Sequence, residues 1–173
     1  MRNKALSILT ISVVIFVTLF LAGCKQTTPE KNRLSLKKKP FEITNLVFCS
    51  QEPGGYMEYV ELPDATYKPG DAVWLYMNIK GVKFIKNQDK TNEIWISEHL
   101  TLKGPDGKVY LDGELLNDHR NLSPELDPNK LFLRNKITTT PQLEEGKYTV
   151  IITVEDKLAK KKASASSSFI LKK

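Results

Sequence analysis

Acid–base or nucleophilic chemistry needs a base held beside its partner, and this chain has two histidines, His99 and His119, to offer. His99 follows Ile96-Ser97-Glu98 in a strand-like run, where alternation places it on one face with Trp95, Ser97 and Thr101. His119 lies in Leu116-Asn117-Asp118-His119-Arg120-Asn121, which reads as loop. Neither sits in a nucleophile elbow or a His-Glu-x-x-His pattern. Asp112, Glu114, Asp118, Glu125 and Asp127 make an oxygen-rich stretch around His119. Their spacing matches no calcium loop, and Arg120, Pro124 and Pro128 interrupt it. Gly54-Gly55 opens no helix, so it is no phosphate cradle. Lys160-Lys161-Lys162 reads as a solvated hairpin tip. The expectation is a chain that is not an enzyme, with no catalytic residue, no metal ligand and no cofactor.

The aromatics carry more information. On strands over 71–80 and 93–103, Trp74, Tyr76 and Trp95 take the parity opposite Leu75, Met77, Ile94 and Ile96. Outward Trp and Tyr offer rigid contact area with a polar handle, so these three form the candidate binding surface. A covering segment, 80–93 or 112–129, would turn them into core instead.

The elements that must position these residues are strands. No window shows a convincing 3.6-residue apolar period, whereas short runs rich in Val, Ile, Tyr, Phe, Trp and Thr alternate with Gly, Pro, Asn and Asp clusters. Strands are expected near 43–49, 57–62, 71–80, 93–103, 108–111, 130–138, 147–155 and 164–171. Tyr148, Val150, Ile152 and Val154 oppose Thr149, Ile151 and Thr153, the one-face-buried pattern of packed antiparallel sheets.

The first forty residues differ from the rest. Met1-Arg2-Asn3-Lys4 is a basic head, and Ala5 to Ala22 carries no charge. That layout, closed by small residues, is a secretory signal. Leu21-Ala22-Gly23-Cys24 resembles the lipobox of bacterial lipoproteins, which implies cleavage between Gly23 and Cys24 and a diacylglyceryl group on the Cys24 thiol. One acyl chain anchors marginally and two hold stably, so the resemblance implies a protein on a membrane surface without a span. In residues 24–40, Lys25, Lys31, Arg33, Lys37, Lys38 and Lys39 face Glu30 alone, the composition of a flexible basic tether. The net charge of +6 is thus spent in the leader and tether, and residues 41–173 are close to neutral. Nucleic-acid binding by the folded part gains no support from charge. Cys49, the other cysteine, has no partner for an internal disulfide.

Three turns refine the fold. Tyr67-Lys68-Pro69-Gly70-Asp71, Gly104-Pro105-Asp106-Gly107-Lys108 and Gly146-Lys147-Tyr148 look like those of a macroglobulin-type or related bacterial Ig-like domain. The resemblance implies a tyrosine corner at Tyr148. The expected architecture is all-β: a single antiparallel Ig-like β-sandwich of about seven to eight strands over 41–173, after a signal peptide over 1–23 and a tether over 24–40. The expected role is a membrane-anchored, non-enzymatic binding module. Its partners would be membrane lipid through acylated Cys24 and an envelope protein or polymer, with no nucleic acid. An accessory subunit of an envelope assembly is the alternative, and a secreted protease inhibitor a weaker one, hinted at only by Pro53-Gly54-Gly55. Lys25 in place of an inner-membrane retention Asp points to the outer membrane where the host has two.

Overall fold

The computed structural model describes residues 39–173, and its described elements are all strands. They are β1 (Glu42–Cys49), β2 (Thr66–Tyr67), β3 (Ala72–Lys80), β4 (Ile85–Lys86), β5 (Asn92–Lys103), β6 (Val109–Leu122), β7 (Phe132–Thr138), β8 (Gly146–Asp156) and β9 (Lys161–Leu171). One sheet is ordered β1-β3-β7; the other runs β2-β9-β8-β5-β4, with β6 on the far side of β5. The fold is all-β, but not purely antiparallel. After the crossing Ser50–Ala65 the chain moves from the smaller sheet to the larger, and β2 pairs in parallel with β9.

The core forms where the alternation is cleanest. Tyr148, Val150, Ile152 and Val154 on β8 are fully buried, as are Val73, Leu75 and Met77 on β3. Leu100, Leu102, Ile137 and Phe169 complete one cluster fed by both sheets. Phe48, Tyr67 and Phe169 meet edge to face at one end, where the Tyr67 hydroxyl donates to the Cys49 carbonyl at 2.8 Å. Cys49 is buried there, and burial, then the charge of Glu61, pushes its thiol up to about 11. The Tyr148 hydroxyl donates to the Glu144 carbonyl at 2.9 Å, tying the strand to the turn before it. Gly81, at φ 72°, has no alternative: a Cβ would stand 2.1 Å from the Pro40 carbonyl oxygen.

Two expected elements are corrected. Residues 57–62 form no strand. Pro53 and Pro63 flank the segment and Met57 takes a positive φ of 61°, so two isolated bridges replace a ladder. The expected loop over 112–129 is instead strand as far as Leu122. β6 holds its register with β5 through two bulges, at Glu98/His99 and Leu102/Lys103, and each bulge flips parity. That is why no alternation shows in its sequence.

Two buried carboxylates are built in. Asp156 accepts backbone N–H bonds from Lys83 at 2.6 Å and Ala159 at 2.8 Å. Glu98, facing the smaller sheet, accepts one bond from the Asn135 amide at 2.5 Å. Burial raises the Glu98 carboxyl above the ordinary range, and the Asn135 bond pulls it partly back. A raised carboxyl binds protons more tightly folded than unfolded. Its destabilising effect is therefore absent at low pH and grows as pH climbs from the ordinary value to the raised one. Glu98→Gln keeps an acceptor for Asn135 and removes the charge. Its melting temperature is expected to exceed wild type at pH 7, with the gap closing below about pH 4 in a pH series of thermal melts. Val150→Asp, at a fully buried site, is expected to cost more than about 3 kcal/mol, a large part of a small domain's margin of about 5–15 kcal/mol. A denaturant titration reads it directly.

Candidate binding surface

The outer face of the larger sheet gathers most of the chemistry-bearing residues. Pairing across β6, β5, β8 and β9 sets them in rows: Asn117, Ser97, Glu155 and Lys162; Glu114, His99, Thr153 and Ser164; Asp112, Thr101, Ile151 and Ser166. Trp95 stands opposite His119 at one end. The two rings stack with centroids 4.9 Å apart and planes 17° off parallel. The Trp95 Nε1–H donates to Asn117 Oδ1 at 2.9 Å, and His119 Nε2 lies 2.7 Å from Glu93 Oε1. Trp95 is thus held upright on a face of the sheet, 37% exposed.

Around it the side chains satisfy one another. Asp112 accepts from Thr101 Oγ1 at 2.6 Å, with His99 Nε2 3.7 Å away. Thr153 bonds Ser164 at 2.9 Å and Thr149 bonds Ser168 at 3.2 Å. The Lys157 ammonium, 2.8 Å from Glu155 Oε2, holds that carboxyl below its ordinary range, and Lys162 adds to the effect. Ser97, His99, Glu114, Thr153, Glu155, Lys157 and Lys162 enclose a hollow of about 290 Å³. Among the described residues, no cluster of three His, Cys, Asp or Glu side chains is placed to hold a metal ion.

The three expected surface aromatics are not brought together. Trp95 lies on the larger sheet, Trp74 and Tyr76 on the smaller. Tyr76 is fully buried and is withdrawn from the surface. The covering segment is the Ser50–Ala65 crossing, not 80–93 or 112–129. Tyr59 stacks on the Tyr76 ring at 4.4 Å, Phe132 lies on it at 5.7 Å, and the Met57 N–H donates to the Tyr76 hydroxyl at 2.8 Å. Tyr76 in turn donates to Asn78 Oδ1 at 2.6 Å. Trp74 is half-buried, with the Lys136 ammonium 5.4 Å from its ring centroid. Sequence reasoning missed Asn117, because the bulged register hides which β6 residues share the Trp95 face, and Glu93, because its role depends on His119, which does not read as strand in sequence. Gly23 and Cys24, the expected cleavage and lipidation sites, lie outside the described residues.

No protein-family model matches the chain, and no curated protein does. Among solved structures it is similar to the alkylpurine DNA glycosylase AlkC of Pseudomonas fluorescens bound to DNA containing an abasic site analog. Identity is 10% over 77% of this chain and 30% of that one, with a TM-score of 0.42. It is similar also to Spo0M, a sporulation control protein of Bacillus subtilis, at 11% identity over 78% of this chain and 50% of that one, TM-score 0.41. The chain spans half or less of either protein. The expectations of no enzyme and no nucleic-acid partner are corrected on this point: a DNA glycosylase bound to DNA stands among its structural neighbours, so neither exclusion is kept. A likeness at that TM-score transfers neither activity to this chain.

Burial separates the aromatics energetically. Tyr76→Ala is expected to lower stability by about 3–5 kcal/mol, as large aromatic truncations in packed interiors do. Trp95→Ala, removing a half-solvated ring with one hydrogen bond, is expected to cost less than about 1–2 kcal/mol. Paired denaturant titrations of the two variants check both figures.

Proposed function

We propose that the chain is an exported lipoprotein, cleaved after Gly23 and held at a membrane by lipid on Cys24, whose folded part binds another component of the cell envelope. The observation that carries this reading is Leu21-Ala22-Gly23-Cys24, placed at the end of an uncharged apolar run behind a basic head. In a host with two membranes we assign it to the outer one, since Lys25 follows the lipid-bearing cysteine.

The folded part is read as an Ig-like β-sandwich. Support comes from the strand order β1-β3-β7 against β9-β8-β5-β6, which follows the A-B-E and G-F-C-C′ arrangement of such domains, and from the Tyr148 hydroxyl on the Glu144 carbonyl. Trp95 is the binding anchor in this reading. A ring fixed by Asn117 and His119 loses little freedom on contact, so more of the contact energy is left for affinity.

The test has two arms. Mass spectrometry of protein purified from its own membranes is expected to find a mature chain beginning at a lipid-modified Cys24, and Cys24→Ser is expected to leave the membrane fraction. An unmodified Cys24, or an intact Met1 terminus, overturns the anchoring. Crosslinking in intact cells is expected to capture a partner with wild type and at least about tenfold less with Trp95→Ala, which stays folded with only a small drop in melting temperature.

A further inference from the structure

The two layers do not end together. β1 packs beside β9, and Asn135 on β7 reaches Glu98 on β5. β7 is the last strand of the smaller sheet, whereas the larger sheet continues past β5 to β6. β6 therefore extends one strand beyond the cover. Its inward side chains Leu116, Asp118 and Leu122 are only half-buried. A groove of about 250 Å³ lies there, lined by Ile94, Ile96 and Leu116 on one side and by Leu131 and Leu133 on the other.

Both strands flanking the groove have an edge without a strand partner among the described residues. They are not equivalent. β6 is bulged twice and turns Asp118 and Arg120 inward, devices that oppose edge pairing. β7 runs in unbroken register with β3 and presents a regular edge. A strand added to β7 would lie directly over β6. Its inward side chains would enter an apolar groove. Its outward ones would stand beside Lys136 on the outer side of β7, and Lys130 is exposed along the groove; Arg134 and Arg120, the other cations there, are already paired with Glu52 and Asp118.

We propose that this groove docks an extended partner peptide, paired with β7 as a fourth strand of the smaller sheet. Its apolar side chains recur at every second position, with acidic ones between them. Main-chain hydrogen bonds supply affinity in such strand addition, and pockets for alternate side chains supply selectivity.

The probe is the end-capped peptide Leu-Glu-Leu-Glu-Leu-Glu-Leu, titrated against the full chain in detergent micelles. Two comparison peptides are its block isomer of equal composition and the alternating leucine–lysine peptide. The alternating acidic peptide is expected to bind at least about tenfold tighter than either and to slow hydrogen exchange at β7 amides. Leu122→Lys is expected to abolish binding. Lys136→Glu, at an exposed position whose loss costs the fold only a cation–π contact with Trp74, is expected to weaken it severalfold with the melting temperature near wild type. Equal binding of the block isomer, or protection appearing on β1 or β6 instead of β7, overturns the proposal. So does a dimer of the free chain in sedimentation that Leu122→Lys dissociates, since that result gives the groove to a second copy.

Discussion

Three strands have to cover an apolar face to which four long strands contribute, and most of the structure follows from that mismatch. β1 packs at the β9 side and β7 opposite β5, so cover is complete over β8, where every inward residue is fully buried. It fails over β6. A strand whose inward face is half wetted gains little from strict alternation, and β6 accordingly carries Asp118 and Arg120 on that face and bulges at two points. The ion pair between those two side chains stands where an apolar pair would stand in a fully covered layer.

The same economy of strands explains the Ser50–Ala65 crossing. With three strands, the smaller sheet would leave Tyr76 and Asn78 bare on its outer side. The crossing lays Tyr59 and Met57 over them, and its backbone supplies the N–H that the Tyr76 hydroxyl accepts. It also carries the chain from one sheet to the other, so the parallel β2–β9 contact is a consequence of the route. Arg134, donating to the Pro53 carbonyl at 2.6 Å and pairing with Glu52, pins the crossing to β7.

Legibility in the sequence tracked how one-sided each strand's burial is. β5 and β8 alternate between a dry face and a wetter one, and their extents are read from Ile94 to Leu102 and Tyr148 to Val154 within a residue or two. β3 is buried on both faces from Leu75 to Ile79, and its extent is read from the aliphatic alternation Val73, Leu75, Met77 and Ile79 alone. β6 reads in sequence as a short strand and a loop because polar residues occupy both of its faces. Tyr76 was misplaced for a related reason. Parity assigns a side chain to a face, and the face of a sheet is open or closed according to a segment whose path alternation does not encode. The buried Glu98 also left no signal, since one carboxylate in an apolar strand looks like a bulge or a surface residue until Asn135 is seen opposite.

Trp95 and Tyr76 show what separates an accessible aromatic from a core one. Each has its polar group satisfied and a ring stacked on it. Tyr76 accepts the Met57 N–H of a covering segment, so exposing its ring would require lifting that segment and breaking this bond, a cost of about 0.5–1.5 kcal/mol before any lost packing. Trp95 is bonded by Asn117 and stacked by His119, both on its own sheet face, so nothing has to move for a partner to reach the ring. Its neighbours Ser97, Thr101, Thr153 and Ser164 are neutral hydroxyls; Glu93 is hydrogen-bonded to His119, Glu155 is paired with Lys157, and Glu114 meets the Asn117 amide at 3.4 Å. Docking on such a face desolvates mainly hydroxyls and carboxylates that already have partners, which lowers the polar penalty against the gain from a preorganised indole.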